Sequence, residues 1–195
     1  MNYYGQRDED RWIAENLPLP LDGFFVDVGA GDGMRYSNTL FFEKQGWQGL
    51  CIDTDPRSYL KLLECRHFAF FSAIRKFEGV TNVFLNDEDP DLTRAIGTIG
   101  AGRTITVPCV PLGLLLQRLD LHRHIDLLSV DVEGLELEVL QSFNMTADYP
   151  TIIIVEYKTT GLKEEDQREE LLTFFQLHPY QLVHQNRANF IFYHK

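Results

Sequence analysis

The sequence predicts an α/β fold: a doubly wound, mostly parallel sheet with helices on both faces, finished by a C-terminal antiparallel hairpin. Three observations predict it. Short apolar runs bounded by turn residues recur along the chain, helix-like segments fall between several of them, and a knot of glycines follows directly on the first run. Hydrophobic residues make up 44% of the 195, enough for one full core, so residues 1–195 read as a single domain.

Taken in order, residues 6–16 are charged and polar but carry Trp12 and Ile13, a short amphipathic helix that stops before "LPLP". The strand runs are "GFFVDVG", "GLCIDTDP", "HFAFFSAI", "IDLLSVDVEG" and "PTIIIVEY". Helices are expected at 37–46, 56–64, 111–120, 134–143 and 163–177, the last with an acidic first half and an apolar second half. "YQLVHQNRANFIFYHK" reads as two strands joined by a polar turn at Gln185–Ala188. The stretch "KFEGVTNVFLNDEDPDLTRAIGTIGAGRTIT" breaks the alternation. It is rich in Gly, Asp, Thr and Asn and offers one short strand at Val80–Leu85, so it reads as a long loop: a substrate-facing insert or a solvated excursion.

Charge narrows the function. With 29 acidic against 18 basic residues the formal net charge is −11, the reverse of the basic footprint of nucleic-acid binders, so no nucleic-acid partner and a neutral acceptor are expected. No apolar run reaches membrane-spanning length and the N-terminus lacks a signal-peptide pattern, which predicts a cytoplasmic protein without a membrane span. Cys51, Cys65 and Cys109 are odd in number and form no CxxC pair, so reduced thiols are expected. The oligomeric state is not legible.

Residues 27–33 spell D-V-G-A-G-D-G between a strand and a helix. A dinucleotide fingerprint, G-x-G-x-x-G counted from Gly29, would need glycine at Met34; the spacing is instead G-x-G-x-G. With an acid two residues before the first glycine, this resembles motif I of class I S-adenosylmethionine (SAM) methyltransferases. Asp27 would help orient the ammonium of a methionine moiety. Asp53 ends the second strand about 20 residues after Gly33, where a carboxylate accepts from both ribose hydroxyls of NAD or SAM alike. Asp55 beside Pro56 reads as a helix cap. A nicotinamide enzyme is the weakest rival.

"GFFVDVGAGDGMRYSNTLFFEKQGWQGLCIDTDP", "IDLLSVDVEGLELEVLQSF" and "PTIIIVEY" together resemble the FkbM-type SAM-dependent methyltransferases, and the leader "YYGQRDEDRWIAENL" is similar too. The resemblance implies a Rossmann-like methyltransferase fold and transfer of a methyl group from SAM to a hydroxyl, most often on a sugar of a glycan. It implies that Asp27, Gly29, Gly31 and Gly33 surround the methionine part of the cofactor, with Ser37 near its carboxylate, Asp53 on the ribose, and Ser72 and Ala73 beside adenine. Gly31 departs from the Asn or His of many relatives, and the middle segment matches least. Two other readings stay open: O-methylation of a small natural product, and a non-catalytic SAM-binding module of a larger glycan-building protein.

For the chemistry, Asp131 and Glu133 end the fourth strand and Glu156 the fifth, and in a doubly wound sheet these ends share one edge. A sugar hydroxyl is a weak nucleophile, so a base or a metal is needed to take its proton. Asp131 with Glu156 either bind a divalent cation or include the general base. Glu133 either joins them or sits at a helix N-terminus, favoured by the dipole. The histidines show no metal spacing, and Trp47 reads as core.

Overall fold

A computed structural model describes residues 2–88, 93, 101–121, 123–145, 149–157 and 167–195. The predicted architecture is present. Strands β1 (Phe24–Val28), β2 (Gln48–Asp53), β3 (Ala69–Phe71), β7 (Leu127–Val130), β8 (Ile152–Glu156), β9 (Tyr180–Gln185) and β10 (Asn189–His194) form one seven-stranded sheet in the order β3-β2-β1-β7-β8-β10-β9. The first five pair in parallel, and β10 runs antiparallel to both β8 and β9. The order reverses between β1 and β7, which opens a crevice at the carboxyl ends of those two strands.

Alternation along β1 explains the two layers. Phe24, Val26 and Val28 enter one core with residues of α4 (Leu112–Arg118), α5 (Glu136–Leu140) and α6 (Arg168–Gln176), whereas Phe25 enters the other. That second core takes Ile13 from α1 (Glu9–Asn16), Phe41 and Phe42 from α2 (Leu40–Lys44) and Leu62 from α3 (Pro56–Cys65). Because both faces are covered, β1, β7 and β8 are buried along their whole length rather than alternately, and their residues are apolar except Asp27, Ser129 and Glu156. Trp47 is a core residue, 3% exposed, with Gly23 packed so close to its indole that a β-carbon there would lie 2.5 Å away.

Three expectations need correction. "HFAFFSAI" is not one strand: it breaks at Ser72, leaving β3 on the main sheet and passing β4 (Ala73–Ile74) to a second sheet of order β4-β6-β5. The middle stretch is a long antiparallel hairpin, β5 (Gly79–Asn86) with β6 (Gly102–Val110), rather than one short strand in a loop. Its polar, β-branched composition reflects a ribbon with one exposed face, where Thr106 bonds Asn82 across the pair. Residues 89–92 and 94–100 lie outside the described residues, as do 163–166 of the last predicted helix. The helices are also shorter than expected: that of 37–46 is a single turn at Leu40–Lys44, and that of 134–143 spans Glu136–Leu140. The three cysteines are free, and no described helix is long and apolar enough to cross a membrane.

Candidate active site

The crevice between β1 and β7 opens into a cavity of about 510 Å³, within the usual range for a small-ligand site. Its walls include Asp27, Gly29, Gly31, Ser37, Asp53, Ser72, Ala73, Asp131, Glu133 and Glu156. Gly33 does not line it. A β-carbon at Gly33 would meet Leu62 at 2.6 Å and Arg66 at 2.8 Å, so this glycine lets the loop lie against α3 instead of facing a ligand.

The loop after β1 is held from two sides. Gly29 and Ala30 both donate to the Ile52 carbonyl, and Gly31 N donates to Asp53 Oδ2 at 2.8 Å. Asp53 Oδ1 accepts from Asp55 N, so the carboxylate fastens the glycine loop to the end of β2. Burial pushes the Asp53 carboxyl up to about 7, above the usual carboxylate range, against the lowering effect of those backbone donors. Asp55 caps α3 as expected: it accepts from Arg57 N and pairs with the Arg57 guanidinium.

On the other side, Asp27 is 3% exposed and accepts from Thr39 Oγ1 at 2.6 Å. Burial raises its pKa, while the Arg66 cation and the Thr39 hydroxyl oppose the shift. Arg66 organises this region. Its guanidinium donates to Thr39 Oγ1, Ser37 Oγ and the Gly33 carbonyl, and pairs with buried Glu43. Ser37 Oγ also accepts from Thr39 N and Leu40 N. The Ser37 hydroxyl expected near a ligand carboxylate is therefore engaged in fixing the entry to α2. Asn38 reaches across to Ser129 Oγ, joining this loop to β7. Sequence reading passed over Arg66 because its partners, all within residues 33–43, lie more than twenty positions away along the chain.

At the neighbouring strand ends, Asp131 follows β7 and Glu156 ends β8. Carboxyl oxygens of Asp131, Glu136 and Glu156 lie within 4.8 Å of one another. Asp131 is open to the cavity yet ringed by protein on its other sides, and burial together with neighbouring acids raises it to about 7. Glu156 is 8% exposed, and its Oε2 has no hydrogen-bond partner. Burial and repulsion from Asp131 raise it further, to about 11. The pair accordingly holds one proton near neutral pH. Glu136, which the sequence reading did not single out, accepts from Val132 N, Gly134 N and Gln167 Nε2. Its oxygens are occupied by these donors, leaving Asp131 and Glu156 as the carboxylates with free valence for a hard cation.

Glu133 is 9% exposed, lines the cavity and has φ 56°. The helix-dipole alternative for it does not hold, because α5 begins three residues later and Glu136 takes the place in its first turn. Tyr36, the other cavity residue with positive φ and a side chain, has φ 58°. Held in this sparsely populated region, both mark turns over-determined by their surroundings. Tyr157 turns away from the cavity into the core and donates to the Asn186 carbonyl; Lys158 and His122 lie outside the described residues.

Residues 27–182 match the family described as "Methyltransferase FkbM domain". No curated protein matches the sequence. Among solved structures, a methyltransferase FkbM from Methylobacillus flagellatus KT superposes with a TM-score of 0.58 at 12% identity, covering 93% of this chain and 46% of that one. The chain thus spans less than half the length of that relative. A TehB-like SAM-dependent methyltransferase from Corynebacterium glutamicum gives 0.51 at 14% identity over 100% of this chain and 89% of its own. A fibrillarin/Nop5p complex gives 0.50 at 12% identity, with 96% and 82% covered. At such identities the likeness is one of fold.

Proposed function

The chain belongs to the FkbM family of SAM-dependent methyltransferases, and from that premise we propose that it is a single-domain O-methyltransferase acting on a hydroxyl of a sugar in a glycan. The observation that carries this reading is the meeting, in one cavity, of the loop fastened by Asp53 with the Asp131–Glu156 pair. The residues fit SAM. Asp53 is a ribose acceptor at the tip of β2, the acidic floor favours a sulfonium cation, and Ser72 and Ala73 form wall beside that ribose position.

When bound, SAM supplies an electrophilic methyl group. The chain's own part is to hold the acceptor oxygen in line with it and to take the hydroxyl proton. Asp131, open to the cavity with a pKa near 7, is suited to receive that proton, while protonated Glu156 stabilises it by hydrogen bonding. Bound there, SAM would supply the methyl group to the acceptor oxygen and leave as S-adenosylhomocysteine, and the hydroxyl proton would be kept by the Asp131–Glu156 carboxyl pair. Asp27 and the glycine loop orient the cofactor's amino-acid end.

A second reading is favoured by the unpartnered Glu156 oxygen: a divalent cation held by Asp131 and Glu156, lowering the pKa of the hydroxyl. Transfer of labelled methyl from SAM to simple glycosides and to natural-product alcohols, with and without EDTA, tests both. Label on a glycoside that survives EDTA supports the carboxyl pair, and loss of label with EDTA supports the cation. Label confined to natural-product alcohols would move the acceptor from glycans to small molecules. SAM binding without transfer to any acceptor would leave a binding module.

A further inference from the structure

Three arginines stand around the mouth of the cavity, above a floor of carboxylates. Arg7 comes from the segment before α1, Arg35 from the loop after β1 and Arg187 from the β9–β10 turn; all three are exposed and line the same cavity. In a chain of net charge −11 this is a local reversal of sign.

Their convergence is built. Glu9, fully buried, accepts from Arg7 N at 2.9 Å through Oε2, and from Asn186 Nδ2 at 2.7 Å and Asn189 Nδ2 at 2.6 Å through Oε1. One buried carboxylate therefore clamps the segment carrying Arg7 to the turn carrying Arg187. Trp12 stacked on His184, with ring centroids 4.5 Å apart, repeats the link one turn of helix further on. A bridge between Gly5 and Tyr36 sets Arg35 beside the same segment, and its guanidinium lies over the Tyr36 ring at 4.5 Å. Among the described residues, no side chain pairs with the guanidinium of Arg7 or Arg187. Arg75, which also faces the cavity, is neutralised by Glu138.

We propose that the cavity mouth is an oxyanion site formed by Arg7, Arg35 and Arg187, and that the acceptor carries a carboxylate or phosphate next to the sugar whose hydroxyl is methylated. This rests on the methyl-transfer reading and replaces the neutral acceptor expected from overall charge. The planar guanidinium fork suits carboxylate and phosphate oxygens. The acidic floor repels such a group, so it is held at the rim and the uncharged hydroxyl is directed inward toward Asp131.

The test uses methyl β-glucuronide, glucose 1-phosphate and methyl β-glucoside as probes. Their binding is measured by calorimetry with S-adenosylhomocysteine present, and SAM binding is measured separately. The wild-type chain is compared with Arg7→Ala/Arg187→Ala and with Arg187→Glu, all exposed substitutions. At least one anionic probe is expected to bind about 10-fold or more tighter than the neutral one, with affinity falling as salt rises. The double variant should lose that preference while SAM affinity stays within about 2-fold. Preference for the glucuronide or for the phosphate tells which oxyanion the rim reads. Equal or absent binding of all three probes overturns the proposal, as does an equal loss of SAM affinity in the double variant, which would assign the arginines to the cofactor. Failure of the wild-type chain to bind SAM would instead strike the methyl-transfer reading, whatever the probes do.

Discussion

The main-chain carbonyl oxygen of Asp131 lies 1.7 Å from the place a β-carbon on Gly29 would occupy. The turns that end β1 and β7 touch only because residue 29 has no side chain. This contact sets the distance between the glycine loop and the Asp131–Glu156 pair, and so the width of the crevice.

Gly29→Ala is therefore expected to cost more than backbone strain alone. Gly46 supplies the comparison: its φ is +100°, but a β-carbon there meets nothing within 4 Å. Gly46→Ala should cost about 1–2 kcal/mol from the left-handed conformation. Gly29→Ala, at φ +84°, should exceed this and abolish SAM binding, because Asp131 must move. Thermal unfolding and calorimetry of the two variants check it; equal stability losses with SAM affinity retained would refute the role given to this contact.

Arg66→Ala should destabilise by about 3–5 kcal/mol, since it leaves Glu43 buried without its cation. Arg66→Met combined with Glu43→Leu should recover much of that stability but not SAM affinity, because Ser37, Thr39 and Gly33 still lose their common donor. Urea denaturation with SAM titration separates the two effects.

Asp53 predicts a pH dependence with a definite sign. Its folded pKa of about 7 lies above the unfolded value near 3.8, so between these limits the native state binds more protons than the unfolded one. Asp53 therefore contributes a stability that is present at low pH and lost as pH rises through 7. SAM binding should run the opposite way, because ribose hydroxyls donate to the ionised carboxylate, and affinity should increase from pH 6 to pH 8. In Asp53→Asn the SAM affinity should be weak and flat with pH. A wild-type affinity independent of pH would contradict this assignment.

Glu156→Gln should leave folding nearly unchanged at pH 7, because the wild-type carboxyl is already protonated there. Methyl transfer should fall by about 10²–10⁴ in Asp131→Asn, which removes the proton acceptor, and far less in Glu156→Gln, whose amide keeps a hydrogen-bond donor toward Asp131. Single-turnover transfer together with SAM affinity provides the readout, and unchanged transfer in Asp131→Asn would remove the pair from the chemistry.

Much of this was legible in the sequence because it is local. The apolar run before D-V-G-A-G-D-G and the acid closing "GLCID" each carry their own signal of strand, tight turn and strand end. "IDLLSVDVEG" and "PTIIIVEY" likewise announced buried parallel strands, and the parallel topology then put their terminal acids on one edge. The β5–β6 hairpin was less legible because an exposed ribbon lacks the apolar run that marks a buried strand.

The sequence by itself determined the α/β class, the main buried strands along the chain and the residue types at their carboxyl ends, since hydrophobic period and turn chemistry act over a few residues. Tertiary structure decided which of those residues share a cavity. It turned Gly33 toward α3, engaged Ser37 with Arg66, gave Glu136 to the backbone of residues 132–134 and left a Glu156 oxygen without a donor. It also gathered arginines at positions 7, 35 and 187 around one opening, through a single buried glutamate and one bridge. The physical reason is range: propensity and burial pattern are read between neighbours along the chain, whereas pairing, desolvation and local charge arise between segments that meet only after the sheet is assembled.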